Sequence, residues 1–176
     1  MRGLDRIIGY DVVKNELRRL VDMTKNPGKY RALGAKLPRG VLFYGEPGVG
    51  KTMLAMALIE EMGVPYAVLR HEKARDSFCE QIQSTFEKMA KTDGQCAILL
   101  DDLDKFSMDC RNGEEFAVVQ AAIDSVRDKA VFVIATANVI DKLAAELLAK
   151  HTLLYSDIKR IRESCRITPA VVGDRY

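Results

Sequence analysis

The chain has 176 residues, enough for one domain with a substantial core. Hydrophobic residues make up 48% and charged residues 30%, and a formal net charge of +2 with both signs interspersed argues against a dedicated nucleic-acid surface. No stretch approaches the ~18 apolar residues that a membrane helix needs, and the opening MRGLDRIIGY lacks the apolar centre of a signal peptide, so the sequence reads as cytosolic or as the cytosolic portion of a longer, membrane-anchored protein.

In chain order, DVVKNELRRLVDMTKN (11–26) predicts an amphipathic helix led by Asp11. NPGKYRALGAKLPRG (26–40) carries Pro and Gly breakers and reads as a connector. Short apolar or β-branched runs follow at GVLFYG (40–45), PYAVLR (65–70), CAILLDD (96–102) and AVFVIATAN (130–138). They show little alternation, which is the pattern of strands covered on both faces. Between them lie segments with helical spacing. KTMLAMALIEEM (51–62) sets Leu54, Leu58 and Met62 on one face, and DSFCEQIQSTFEKMAK (76–91) does the same with Phe78, Ile82, Phe86 and Met89, with Asp76 or Ser77 as N-cap. EEFAVVQAAIDSVRD (114–128) lines up Phe116, Val119, Ala122 and Val126. Strand and helix in alternation predict an α/β fold with a parallel sheet between two helical layers. Cys79, Cys96, Cys110 and Cys165 form no C-x-x-C pair, and His71 and His151 stand in no metal-type spacing, so four reduced thiols are expected.

Chemistry concentrates first at GEPGVGKT (45–52), which fits G-x-x-x-x-G-K-[ST] with a strand before it and a helix after it. Gly45, Gly48 and Gly50 let backbone N–H groups curl around phosphate oxygens, and Lys51 adds a point charge at the β- and γ-phosphates. Thr52 offers a hydroxyl to Mg²⁺, and the helix N-terminus adds partial positive charge. The nucleotide, ATP or ADP, is therefore expected against Glu46, Pro47, Gly48, Val49, Gly50, Lys51, Thr52 and Met53. The second concentration is AILLDDLDKF (97–106), an apolar run ending in Asp101, Asp102 and Asp104. In P-loop nucleotidases an Asp ends a later strand, expected beside the first, and helps to hold Mg²⁺. Asp101 takes that role here, and Asp102 follows where a base would orient the attacking water.

The stretch IIGYDVVKNELRRLVDMTKNPGKYRALGAKLPRGVLFYGEPGVGKTMLA resembles the start of an AAA+ ATPase module, most of all that of FtsH-type membrane-bound ATP-dependent proteases, and the likeness spans residues 5–148. The resemblance implies that Ile8 and Gly9 lie against the adenine. It sets DDLD (101–104) where the family has Asp-Glu-hydrophobic-Asp. It also likens VIATAN (133–138) to the family's sensor strand, making Asn138 a contact to the γ-phosphate or the attacking water. It further implies a three-layer P-loop fold, ATP·Mg²⁺ hydrolysis, a homo-oligomer and a polypeptide substrate.

Departures bear on that expectation. Asp102 is one methylene shorter than the family's Glu, and an error near 1 Å in a catalytic group can cost on the order of 10² in rate, so weakened turnover is expected. The loop after the second strand, RHEKARDSFCEQ (70–81), lacks the family's aromatic–hydrophobic–Gly grip. Its one aromatic, Phe78, fits a buried helical face better. Past Leu148 the likeness stops. Residues 1–150 are read as the ATPase core without the helical lid, and 151–176 as a divergent tail with a last strand at TLLYSDI and a basic segment at KRIRESCR. No Arg stands between Leu148 and Arg160, so no arginine finger is in place and weak ring assembly is expected. H-E-x-x-H, the zinc protease signature, does not occur. Two rivals remain at this level: a module that binds nucleotide and signals without useful turnover, and a small-molecule kinase.

Overall fold

The structure is a computed structural model that describes residues 3–70, 78–108 and 114–138. After a 3-10 turn (Gly3–Arg6) come α1 (Asp11–Lys25), α2 (Pro27–Ala32), β1 (Gly40–Tyr44), α3 (Lys51–Met62) and β2 (Tyr66–Arg70). They are followed by α4 (Phe78–Ala90), β3 (Cys96–Asp101), α5 (Lys105–Met108), α6 (Glu114–Ser125) and β4 (Val131–Ala137). The four strands are parallel, in the order β1-β4-β3-β2. Such a sheet needs cover on both sides because each strand sends alternate side chains to opposite faces. One face, carrying Leu42, Ile98, Leu100 and Val133, packs against Ile82 and Phe86 of α4 and Val119 of α6. The other, carrying Phe43, Ala97, Leu99 and Ile134, packs against Leu54 and Leu58 of α3 and Leu17 of α1. The result is the three-layer α/β arrangement that the alternation predicts.

Three expectations need correction. The 26–40 segment is more than a connector: Pro27 starts the short helix α2, its fixed φ suiting the first helical position. The strand PYAVLR is not covered on both faces: β2 is an edge strand of the described sheet that α3 does not reach over, which leaves Tyr66 and Val68 exposed. Finally, β3 does not lie beside β1, because β4 is inserted between them and pairs with both.

The helical faces read from spacing are otherwise as expected. Phe78, Ile82, Phe86 and Met89 are all buried, and Phe78 stacks on Phe106 with ring centroids 5.1 Å apart. Phe78 is thus a core residue. The N-cap expected at Asp76 or Ser77, the side chain of Phe116, Cys110 and everything expected after Asn138, including the tail beyond residue 150, lie outside the described residues. Among those described, no helix is long and apolar enough to cross a membrane.

Candidate nucleotide site

The site forms where the carboxyl ends of β1, β3 and β4 meet the start of α3. From β1 the chain turns through 45–50 into α3, and the turn requires glycine where φ is positive. Gly48 has φ 84° and Gly50, which precedes the first residue of α3, has φ 87°. A side chain at either position would be strained whatever the space around it. Glu46, Pro47 and Gly48 are exposed at the tip, and Val49 and Gly50 are half-buried. Lys51 is only 5% exposed. Its ammonium donates to the carbonyls of Gly45 (3.0 Å) and Glu46 (2.9 Å), which holds the charge across the loop mouth. Tyr10 closes the side of the loop by donating its hydroxyl to the carbonyl of Val49 at 3.2 Å. Next to Tyr10, Gly9 is exposed with φ 78°, and Ile8 projects at 96% exposure although Ile7 is buried. Through Tyr10 the 8–10 segment is tied to the loop. Met53 is exposed one residue past Thr52.

Asp101 ends β3 at 1% exposure, a position where a carboxylate must be hydrogen-bonded to stay ionised. Its Oδ1 accepts from the Thr52 hydroxyl at 2.8 Å and the Thr136 hydroxyl at 2.7 Å. Its Oδ2 accepts from Arg70 Nε at 2.9 Å and from Arg70 Nη2. Burial works to raise the carboxyl's pKa. The hydrogen bonds from Arg70, then those from Thr136 and Thr52, outweigh it and hold the group below its ordinary 3.8. Thr52 and Asp101 thus stand side by side as hard oxygen donors, the chemistry that suits Mg²⁺.

Asp102 has φ 57°, a left-handed conformation unusual outside glycine. Its N–H donates to Thr136 Oγ1 at 2.9 Å, so one buried hydroxyl ties both acids to β4. The Asp102 carboxylate is half-buried and accepts from Lys105 Nζ at 2.6 Å. That contact, first as a hydrogen bond and then as opposite charge, pushes the Lys105 pKa up. Asn138 is held differently from a freely presented side chain. Its backbone N–H and its Nδ2 both donate to Asp104, at 3.3 and 3.2 Å.

Thr136, Arg70, Lys105 and Tyr10 are the residues that pattern reading passed over. Thr136 was signalled by a hydroxyl inside an otherwise apolar strand, and Arg70 by a charge closing PYAVLR. Lys105 was signalled by its place three residues after an acid.

A parallel three-layer sheet with a glycine loop after β1, and Asp at the end of a strand separated from β1 by one other, is a P-loop nucleotide-binding fold. The profile described as "ATPase family associated with various cellular activities (AAA)" matches residues 41–155, and the chain belongs to that family. It is similar to the "ATP-dependent zinc metalloprotease FtsH 2" of Symbiobacterium thermophilum, 41% identical over 102 residues, covering 56% of this chain and 17% of that protein. It is similar also to the chloroplastic "ATP-dependent zinc metalloprotease FTSH 5" of Arabidopsis thaliana, 41% identical over 102 residues and 14% of that protein. The FtsH of Rhodococcus erythropolis is 40% identical over 102 residues, 12% of its length. The aligned part of the chain thus spans less than a fifth of each of these relatives. At this level the chain is an FtsH-like AAA ATPase module.

Proposed function

We propose that the chain binds ATP with Mg²⁺ at the 45–52 loop and hydrolyses it slowly. The observation that carries this reading is the bond between half-buried Thr52 and buried Asp101, set directly beside the glycine loop and Lys51. The loop N–H groups and Lys51 would bind the β- and γ-phosphates, and Glu46, Pro47, Val49 and Met53 would border them. Ile8, exposed beside the loop, and Gly9 would lie against the adenine. Thr52 and Asp101 would hold Mg²⁺, which when bound supplies positive charge at the transferring phosphoryl group.

Asp102 would accept a hydrogen bond from the attacking water, with Asn138 helping to position the γ-phosphate end. Asp102 is shorter than Glu, and its carboxylate is already engaged by Lys105. Both features favour slow turnover, because a base acts only within hydrogen-bond reach of its water. The same features give the second reading its support: a module that holds nucleotide and signals by its bound state. In a longer protein, a polypeptide substrate and a homo-oligomer are the partners we propose, with the module on the cytosolic side.

The test is binding of a fluorescent ATP analogue to the chain and to Lys51→Ala. Loss of at least about tenfold in affinity is expected from removing the loop's one positive charge. Equal affinity in the two chains would remove the basis of the reading. Steady-state phosphate release then separates slow hydrolysis from holding without turnover.

A further inference from the structure

Arg70 has no part in the mechanism above, yet it makes two of the four hydrogen bonds to the buried acid of the site. Its place is set by the backbone. In the parallel pairing of β2 with β3, Arg70 is registered directly against Asp101, the last pair of that ladder. Registered neighbours in adjacent strands send their side chains to the same face. The contact is therefore built into the sheet.

A carboxylate offers about four lone-pair positions. At Asp101, Thr52 and Thr136 take the two on Oδ1, and Arg70 takes the two on Oδ2 with its planar fork. Mg²⁺ dehydrates reluctantly and keeps several waters, which need acceptors in the protein. Each such water can reach Asp101 only by displacing a donor already in place. The guanidinium stays charged at any accessible pH, so Arg70 also cancels the negative charge with which Asp101 would attract a divalent cation. Arg70 is half exposed and borders a cleft of about 440 Å³ that it shares with Thr52 and Asp101. The competition is thus reachable from solvent.

We propose that Arg70 is a resident cation at the metal end of the phosphate site, competing with hydrated Mg²⁺ for Asp101, so that this chain holds nucleotide with only weak dependence on Mg²⁺. The inference rests on the nucleotide reading above and narrows its metal part: Thr52 and Asp101 hold Mg²⁺ only as far as Arg70 gives way.

The experiment measures affinity of the full chain for a fluorescent ADP analogue, once in EDTA and once in millimolar Mg²⁺. The wild-type chain is expected to gain less than about threefold on adding Mg²⁺, and Arg70→Gln, which keeps an N–H donor for Asp101, more than about tenfold. Arg70→Lys keeps the charge but gives up the fork, and its gain should fall between the two. Thermal melts of each variant establish that it is folded. A wild-type gain of tenfold or more, or equal gains in all three chains, overturns the proposal. Absence of binding by the wild-type chain in both buffers overturns the nucleotide reading, and this inference with it. Binding that Lys51→Ala abolishes, together with a steep Mg²⁺ dependence unchanged in Arg70→Gln, sinks the Arg70 role alone.

Discussion

The phosphate loop and the acid end of β3 face each other across the same site, yet they are built on different principles. The loop is local: the Lys51 bonds that span it reach back five and six residues, to Glu46 and Gly45. The acid end is assembled from three other elements. Asp101 takes its partners from Arg70, Thr136 and Thr52, which are 31, 35 and 49 residues away in sequence. A loop can lose a charge and keep its shape. A buried carboxylate that organises three elements cannot be removed without loosening them all.

The largest effect that tests this contrast is Asp101→Ala. It should destabilise the fold by about 3 kcal/mol, near the low end for breaking a buried pair because Arg70 can turn to water. Lys51→Ala should shift stability by no more than about 1 kcal/mol while losing nucleotide. Chemical denaturation of both variants is the measurement, and equal losses would erase the distinction.

Asp102→Glu comes next and sharpens the comparison on the chemical side. If Asp102 falls short of its water, the longer acid should raise ATP turnover by up to about 10²-fold. Lys105→Ala should raise it only about two- to fivefold, since the ion pair it breaks is partly exposed and screened by solvent. Phosphate release from the wild type and the two variants decides this. Identical rates would leave Asp102 a strand-end carboxylate with no base role.

A smaller change is expected from Thr136→Val, which keeps the shape and removes the hydroxyl shared by Asp101 and the Asp102 N–H. A cost of about 1–2 kcal/mol follows from leaving buried polar groups without a partner. Thr136→Ser should recover most of it. No loss in the valine variant would show that the β4 link is incidental.

The smallest effect lies far from the site, where the Tyr30 hydroxyl donates to Asp22 and ties α2 to α1. That bond holds the Asp22 carboxyl below its ordinary 3.8 and pushes the Tyr30 phenol above its ordinary 10.0. A lowered acid contributes stability that is present above 3.8 and lost as pH falls through the folded value. A raised phenol contributes stability that is full below 10.0 and lost as pH rises through the folded value. The melting difference between wild type and Tyr30→Phe should therefore be small, steady across the neutral range, and should close at both extremes. A difference that grows at alkaline pH would contradict the assigned bond.

What the sequence determined by itself is whatever depends on neighbours along the chain. GEPGVGKT declares a turn that needs positive φ at Gly48 and Gly50, and the structure has it there. The helical spacing of Phe78, Ile82, Phe86 and Met89 declares a buried face, because period alone decides which side chains align. The run of apolar residues into Asp101 marked the acid end of β3 before any fold was known.

Strand order was decided only in three dimensions. Nothing in GVLFYG or CAILLDD says that β4 will come between them, because pairing partners are chosen by packing across the whole sheet. That one insertion brings Thr136 to both acids, and the position of β2 at the edge brings Arg70 to Asp101. PYAVLR has the composition of a covered strand, yet Tyr66 and Val68 are exposed because α3, which covers their face of the sheet over β1, β4 and β3, packs little against β2. A carboxylate's position can be read from a motif. Which donors saturate it depends on side chains made neighbours by the register of separate strands, and tertiary packing alone sets that register.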